Sequence, residues 1–181
     1  MIIYPDVLAF HAAPGTEIER VTSLMEMTGQ KHESFLDAIF DTAGTKTDLP
    51  VVTLINHPYQ WLENCFRWKV FNLPMMDIVV PPILLRDNHF AAFVESIYSY
   101  STDVYGRLHR QYRSDVTIRA EDLPWCLFEL LESFNVEIPE EPIPPLAKRD
   151  VYDDDKVIWT PRLRKLVQES EEKTFETYEY Y

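Results

Sequence analysis

Apolar residues along this chain follow two alternating rhythms: short dense runs that suit strands, and stretches with a spacing of three or four that suit helices. Residues 6–11, DVLAFH, are a short apolar run, and the AAPGT that follows breaks regular structure with Pro14 and Gly15. From Glu17 onward Ile18, Val21, Leu24 and Met25 recur at helical spacing. Thr16 is placed to cap this helix, Glu19 completes a capping-box arrangement, and Gly29 ends it. Residues 32–40 carry Phe35, Leu36, Ile39 and Phe40 on one face, which predicts a second helix beginning at His32 and Glu33.

Val51 to Ile55, VVTLI, is β-branched and almost continuously apolar, as a strand covered on both faces should be. After Asn56-His57-Pro58 the apolar positions Leu62, Cys65 and Phe66 fall on one helical face, with Pro58 in the first turn, where proline is tolerated. Residues 73–85 contain Pro74, Pro81 and Pro82 and show no clear period, so they read as irregular with one short extended piece. Helical spacing resumes over residues 89–100 and again over 102–110. Residues 115–119, DVTIR, predict a strand, and residues 123–134 a helix with the stripe Leu123, Leu127, Leu130, Leu131 and Phe134. A Pro- and acid-rich connection at about residues 137–160 precedes a last helix from Pro161, which runs into an acidic, aromatic tail over residues 171–181.

Strands near residues 7, 52 and 117 thus alternate with helices. That order predicts an α/β fold in three layers, a small parallel sheet with helices on both faces, as one domain over residues 1–181. Ligands in such folds bind beyond the carboxyl ends of the strands, here residues 11–16, 56–58 and 119–122.

Composition narrows the partners. The 181 residues are 46% hydrophobic, enough for a sizeable core, and 30 acidic against 17 basic side chains give a formal charge of -13. Such a surface repels polyanions, so neither nucleic acid nor an anionic membrane is an expected partner. A small anion can still be held in a cleft by backbone N–H groups and a few local cations. The two cysteines, Cys65 and Cys126, both sit in predicted amphipathic helices; they fit neither a disulfide framework nor a metal site, and a buried-thiol, cytoplasmic protein without a metal is expected. No apolar run approaches the roughly 20 residues of a membrane span.

Candidate chemistry lies at the three junctions. In HAAPGTE, His11 to Glu17, a glycine and the helix start that follows can turn N–H groups toward a phosphate or sulfate oxygen. The same residues can equally make a plain capped turn. The loop lacks the adjacent Lys-Ser/Thr pair of a nucleoside triphosphatase, which leaves a small phosphotransferase as the weakest alternative. In Asn56-His57-Pro58 the imidazole can bind an anion, act as acid or base, or simply brace the turn; Asn64 lies about two helical turns beyond Asn56, and Arg67 and Lys69 are the nearest cations. At the third junction Asp122 can cap the helix, and Glu121 can pair with Arg119 or with a basic residue of a neighbouring loop. His32 and Glu33 form a further polar pair that can face a cleft or solvent.

The order of the pieces VLAFHAAPGTEIERVTSLM, VVTLINHPYQWLENCF, VTIRAEDLPWCLFELLESFNV and LRKLVQESEEKTFETYEYY resembles the sulfotransferase family, its short bacterial and phage-like members in particular. The resemblance covers most of the chain, and strand-R-x-E-D-L-P followed by a helix is its most specific motif. It implies a P-loop-like fold and the donor 3'-phosphoadenosine 5'-phosphosulfate, whose sulfuryl group passes in line to a hydroxyl or amine of an acceptor, a small molecule or glycan. Carried onto this chain, Ala13, Pro14, Gly15 and Thr16 would hold the 5'-phosphosulfate, and Asn56 and Asn64 the 3'-phosphate; His11, His32, Glu33 and His57 are the possible bases. The family's loop Lys has no counterpart, since Ala13 or Pro14 stands near its place. Asn56 replaces an Arg and Asn64 a Ser. The alternative the resemblance implies is an inactive member kept as a binding or assembly module.

Overall fold

The computed structural model describes residues 2–13, 15–16, 18–31, 33–34, 48–68, 72–73, 78–79, 89–110, 114–140 and 157–180. In chain order the elements are β1 (Ile2–Tyr4), β2 (Leu8–Ala12), α1 (Ile18–Met27), β3 (Glu33–Ser34), β4 (Val51–Ile55), α2 (Pro58–Arg67), β5 (Asn72–Leu73), β6 (Ile78–Val79), α3 (Phe90–Tyr100), α4 (Val104–Arg110), β7 (Val116–Arg119), a 3₁₀ turn (Ala120–Asp122), α5 (Trp125–Ser133), α6 (Pro161–Ser170) and α7 (Glu172–Thr177). The chain is α/β, and its contacts divide it into two compact units, residues 1–56 with 112–149 and residues 57–111 with 150–181.

The first unit contains a five-stranded sheet in the order β3-β1-β2-β4-β7. The three strands expected from the sequence are its parallel part: β2 pairs with β4 and β4 with β7. The sheet as a whole is mixed, because β1 folds back on β2 in an antiparallel hairpin and β3 adds antiparallel to β1. The hairpin turns tightly, with Asp6 at φ 63° and the Val7 N–H on the Tyr4 carbonyl at 3.1 Å. At the start of the parallel ladder the Val51 N–H bonds Asp115 Oδ2 at 2.9 Å while the Asp115 N–H bonds the Val51 carbonyl at 2.8 Å, which fixes where β4 and β7 come into register.

Strand alternation sorts the side chains. Leu8, Phe10, Val52, Leu54 and Ile118 share one core with Val21, Leu24 and Met25 of α1 and with Leu127, Phe128 and Leu131 of α5. Both helices therefore lie on the same face. The intervening positions, Ala9, Val51, Thr53 and Ile55, are buried as well, so both faces of the central strands are covered, as the continuous apolar run of β4 requires. Helix α1 stops at a Schellman-type end, the Gly29 N–H on the Glu26 carbonyl at 3.0 Å and the Gln30 N–H on the Met25 carbonyl at 3.2 Å.

The helix expected over residues 32–40 does not begin as predicted. Glu33 and Ser34 are the strand β3, with Glu33 opposite Ile3 and Ser34 opposite Ile2, and residues 35–40 lie outside the described residues. The sheet's open edge at β1 offers unpaired main-chain groups to this segment, and that pairing outweighs a helical side-chain pattern. In the region read as irregular, residues 73–85, β5 and β6 pair antiparallel, Leu73 opposite Ile78.

The second unit is chiefly helical. Trp61, Leu62, Cys65 and Phe66 of α2, Phe93, Val94 and Ile97 of α3, Tyr105 and Leu108 of α4, and Leu163 and Val167 of α6 are all buried. Trp61 stacks on Tyr105, with ring centroids 4.3 Å apart and planes 14° from parallel, and Phe66 meets Phe93 at 5.4 Å. The acidic tail predicted after the last helix is instead a structural element. Residues 172–177 form α7, and Glu171, Phe175 and Tyr180 are buried. Phe175 and Tyr180 pack on the His57 ring, and the buried Glu171 carboxylate bonds the main chain at the start of α4.

Gly106 is tightly packed in this unit. A Cβ there would run into Asp103 Oδ1, Thr174 Oγ1 and the Arg110 guanidinium. Gly106→Ala is expected to lower unfolding free energy by about 1–3 kcal/mol, the usual cost of overpacking, as read from urea unfolding.

Candidate functional site

In the first unit, the carboxyl ends of β2, β4 and β7 finish level. Ala12 is opposite Leu54, Leu54 opposite Ile118, and Ile55 opposite Arg119, so Ala13, Asn56 and residues 120–123 leave the sheet along one edge. The sequence had placed its ligand junctions at these three places.

The first junction is a closed turn in its described part. Gly15 adopts φ 86°, a left-handed conformation that a residue with a Cβ enters at a cost. Past it, the Thr16 N–H bonds the Ala13 carbonyl at 3.1 Å and the Thr16 hydroxyl donates to the same oxygen at 2.6 Å. Both donors of Thr16 are thus turned back into the loop, and Thr16 and Ala13 are buried. An anion cradle needs converging donors that point outward, and Thr16 contributes neither of its own. Pro14 and Glu17 lie outside the described residues.

Arg20 is a cation at this edge that the sequence reading missed. One turn after Thr16 on α1, it reaches the third junction, with Nη2 on the Leu123 carbonyl at 3.0 Å and Nη1 on the Ala120 carbonyl at 3.4 Å. Arg20 lies in the first turn of α1, four residues after Thr16, and its position just past the loop was the available signal. Its guanidinium tethers the loop after β7 to α1.

The third junction departs from the expected capping. Arg119 Nε lies 3.2 Å from Asp122 Oδ2, an ion pair within the junction. Asp122 does not cap the helix: residues 120–122 form a 3₁₀ turn, and α5 starts only at Trp125, with Pro124 in the capping position and no side-chain bond there. With three residues per turn, positions 119 and 122 eclipse one another, which brings the pair together. Cys126 donates weakly to the Arg119 carbonyl at 3.7 Å, and burial raises its thiol pKa.

His11 sits in β2 opposite Thr53 of β4, itself opposite Thr117 of β7. Burial lowers the imidazole pKa to about 4, so His11 is neutral at pH 7. The Thr53 hydroxyl is buried and has no hydrogen-bond partner among the described residues. Asn56, the last residue of this unit's first stretch, is 1% exposed. His32 lies outside the described residues and Glu33 is in β3.

The remaining candidates belong to the second unit. His57 caps α2: its Nδ1 accepts the Tyr59 N–H at 3.1 Å. Its ring also packs among Tyr59, Phe175 and Tyr180, with centroids 4.9, 5.3 and 4.9 Å away. Asn64 is 4% exposed, and its Oδ1 accepts from Gln60 Nε2 at 3.0 Å. Arg67 pairs with Glu63 at 3.5 Å, and Lys69 lies outside the described residues.

Two buried titratable groups of this unit were not foreseen. Glu171 is fully buried, and its Oε1 accepts the Tyr105 N–H at 2.8 Å while Oε2 accepts the Gly106 N–H at 3.2 Å and the Thr174 hydroxyl at 2.9 Å. Burial raises its pKa, and these hydrogen bonds oppose the rise. His109 is also buried; neither ring nitrogen has a hydrogen-bond partner among the described residues, and burial lowers its pKa to about 3. No motif marks such residues, because a lone polar side chain in a helix carries no sequence period.

No family model, no curated protein and no solved structure matches this chain. Among the described residues no helix is long and apolar enough to cross a membrane.

The two depressed histidines predict the acid response. Each binds its proton more weakly in the folded chain than at the ordinary value of 6.5, so its full contribution is present above pH 6.5 and is lost as pH falls toward about 4 for His11 and about 3 for His109. Stability measured by urea unfolding is expected to drop by up to about 1.4 kcal/mol per pH unit for each histidine. His109→Leu should flatten that slope. An unchanged slope would mean that His109 takes up its proton without penalty.

Proposed function

We propose that this chain is a sulfotransferase-like α/β protein that serves as a binding or assembly module rather than turning over 3'-phosphoadenosine 5'-phosphosulfate. The observation that carries this reading is at Thr16, whose N–H and hydroxyl both bond the Ala13 carbonyl, in the loop where a P-loop-like protein would present donors to the 5'-phosphosulfate. Two further features support it. The loop has no Lys, and Asn56 and Asn64 stand where the family would bring an Arg and a Ser to the 3'-phosphate. Hydrogen bonds to charged groups contribute roughly 1.5–3 kcal/mol each, so two lost cationic contacts weaken donor binding by a few orders of magnitude.

A second reading is an active enzyme that passes the sulfuryl group in line to a hydroxyl or amine acceptor. It is favoured by the level carboxyl ends of β2, β4 and β7 and by Arg20, a guanidinium at that edge. His11, neutral at pH 7, would be its base, although an imidazole with a pKa of about 4 is a weak one.

Titration calorimetry with 3'-phosphoadenosine 5'-phosphate, run beside a transfer assay with radiolabelled 3'-phosphoadenosine 5'-phosphosulfate and simple phenol and amine acceptors, separates the readings. The module reading expects no heat at millimolar ligand and no labelled product. Labelled product from the unmodified chain overturns it, whereas binding without transfer would leave an inactive fold that has kept its nucleotide site.

A further inference from the structure

Helix α5 presents an outer face that nothing in the donor-site reading uses. Trp125, its first residue, is 68% exposed, and among the described residues only it and Ile158 are large hydrophobics left so open. The indole is braced from one side, with the Phe128 ring edge-on at 6.4 Å and 82°, while Phe128 itself is buried in the core. Glu129 and Glu132 follow Trp125 at the fourth and seventh positions, so all three lie along one helical face, and both glutamates are exposed. The 3₁₀ turn leading into α5 adds exposed Glu121 and Asp122. From residue 120 to residue 140 the chain has six acidic side chains and no Lys, Arg or His. The nearest cation in sequence, Arg119, is paired with Asp122.

A tryptophan held open in water costs free energy, and aromatic side chains in such positions are the usual anchors of interfaces. A face that combines an open indole with carboxylates fits a guanidinium or ammonium group, which gains from the ring face and from the carboxylates together. We propose that the Trp125–Glu129–Glu132 face of α5 is a docking surface for a basic segment of a partner protein, with an Arg or Lys side chain seated on the Trp125 ring. The occupant follows from charge: the face carries carboxylates, residues 120–140 contain no basic side chain, and the whole chain is at -13. A nucleic acid or an anionic lipid surface would be repelled.

The test titrates the full chain with hexa-arginine amide by calorimetry, with hexa-glutamate as the opposite-charge probe, at low and at physiological salt. Saturable binding of hexa-arginine alone is expected, weaker at higher salt. Trp125→Ala and the pair E129Q/E132Q should each weaken it about tenfold, while E172Q/E176Q, which removes exposed charge from α7, should leave it unchanged. All these side chains are exposed, so the variants are expected to fold, and unchanged thermal midpoints check this. Absence of hexa-arginine binding overturns the proposal, as does equal affinity of Trp125→Ala and the unmodified chain. An equal loss in E172Q/E176Q would reduce the effect to overall acidity and overturn it too. Sedimentation that finds a dimer dissolved by Trp125→Ala would make a second copy of the chain the occupant instead.

Discussion

The first unit depends on the register of one ladder, β2 on β4 on β7. Because these strands run parallel and their pairing is pinned at Val51 and Asp115, every second residue is committed to the core shared with α1 and α5. A slip by one residue would turn Phe10, Leu54 and Ile118 out of that core and Ala9, Thr53 and Thr117 into it. The same register brings the three strand ends out level and sets His11 beside Thr53. What the edge can do chemically is therefore decided before any loop residue is chosen.

At that edge the polar groups are largely turned on one another. Thr16 bonds Ala13, Arg20 bonds the carbonyls of Ala120 and Leu123, and Arg119 pairs with Asp122. These contacts brace three loops against α1 and the sheet. Each donor used in bracing is one fewer for an anion, and stability and ligand binding draw on the same small set of N–H groups here. In the second unit Glu171 does comparable structural work: its carboxylate takes two main-chain N–H groups at the start of α4, a position where an N-terminal helix dipole favours negative charge. These N–H groups and the Thr174 hydroxyl offset the cost of burying the carboxylate.

Much of the fold was legible in the sequence. The VVTLI run, the strand endings at His11 and Arg119, the helix entries at Pro58 and Pro161 and the stop at Gly29 all stand within a few residues of where their patterns put them. Such signals are local: a β-branched run, a proline in a first turn and a glycine after a helix act through their own backbone. The candidate site was legible as a place and less so as an arrangement. The sequence marked the three junctions, yet Asp122 looked like a cap and is an ion-pair partner, while of the roles open to His57 the one seen is the brace of the turn, as the cap of α2. Arg20 was overlooked because its contacts are a hundred residues away in sequence.

By itself, then, the sequence determined the alternation of strands and helices, the parallel order that this alternation favours, the acidic surface and the positions where loops leave the sheet. Tertiary structure alone decided that Glu33 and Ser34 join an edge strand, that the acidic tail folds with Glu171 inside, and that the donors of Thr16 face inward. The physical reason is common to all three. Each is a question of which group, near or far in sequence, satisfies a main-chain or side-chain hydrogen bond, and a linear pattern of apolar and polar residues fixes burial and period but not the partner.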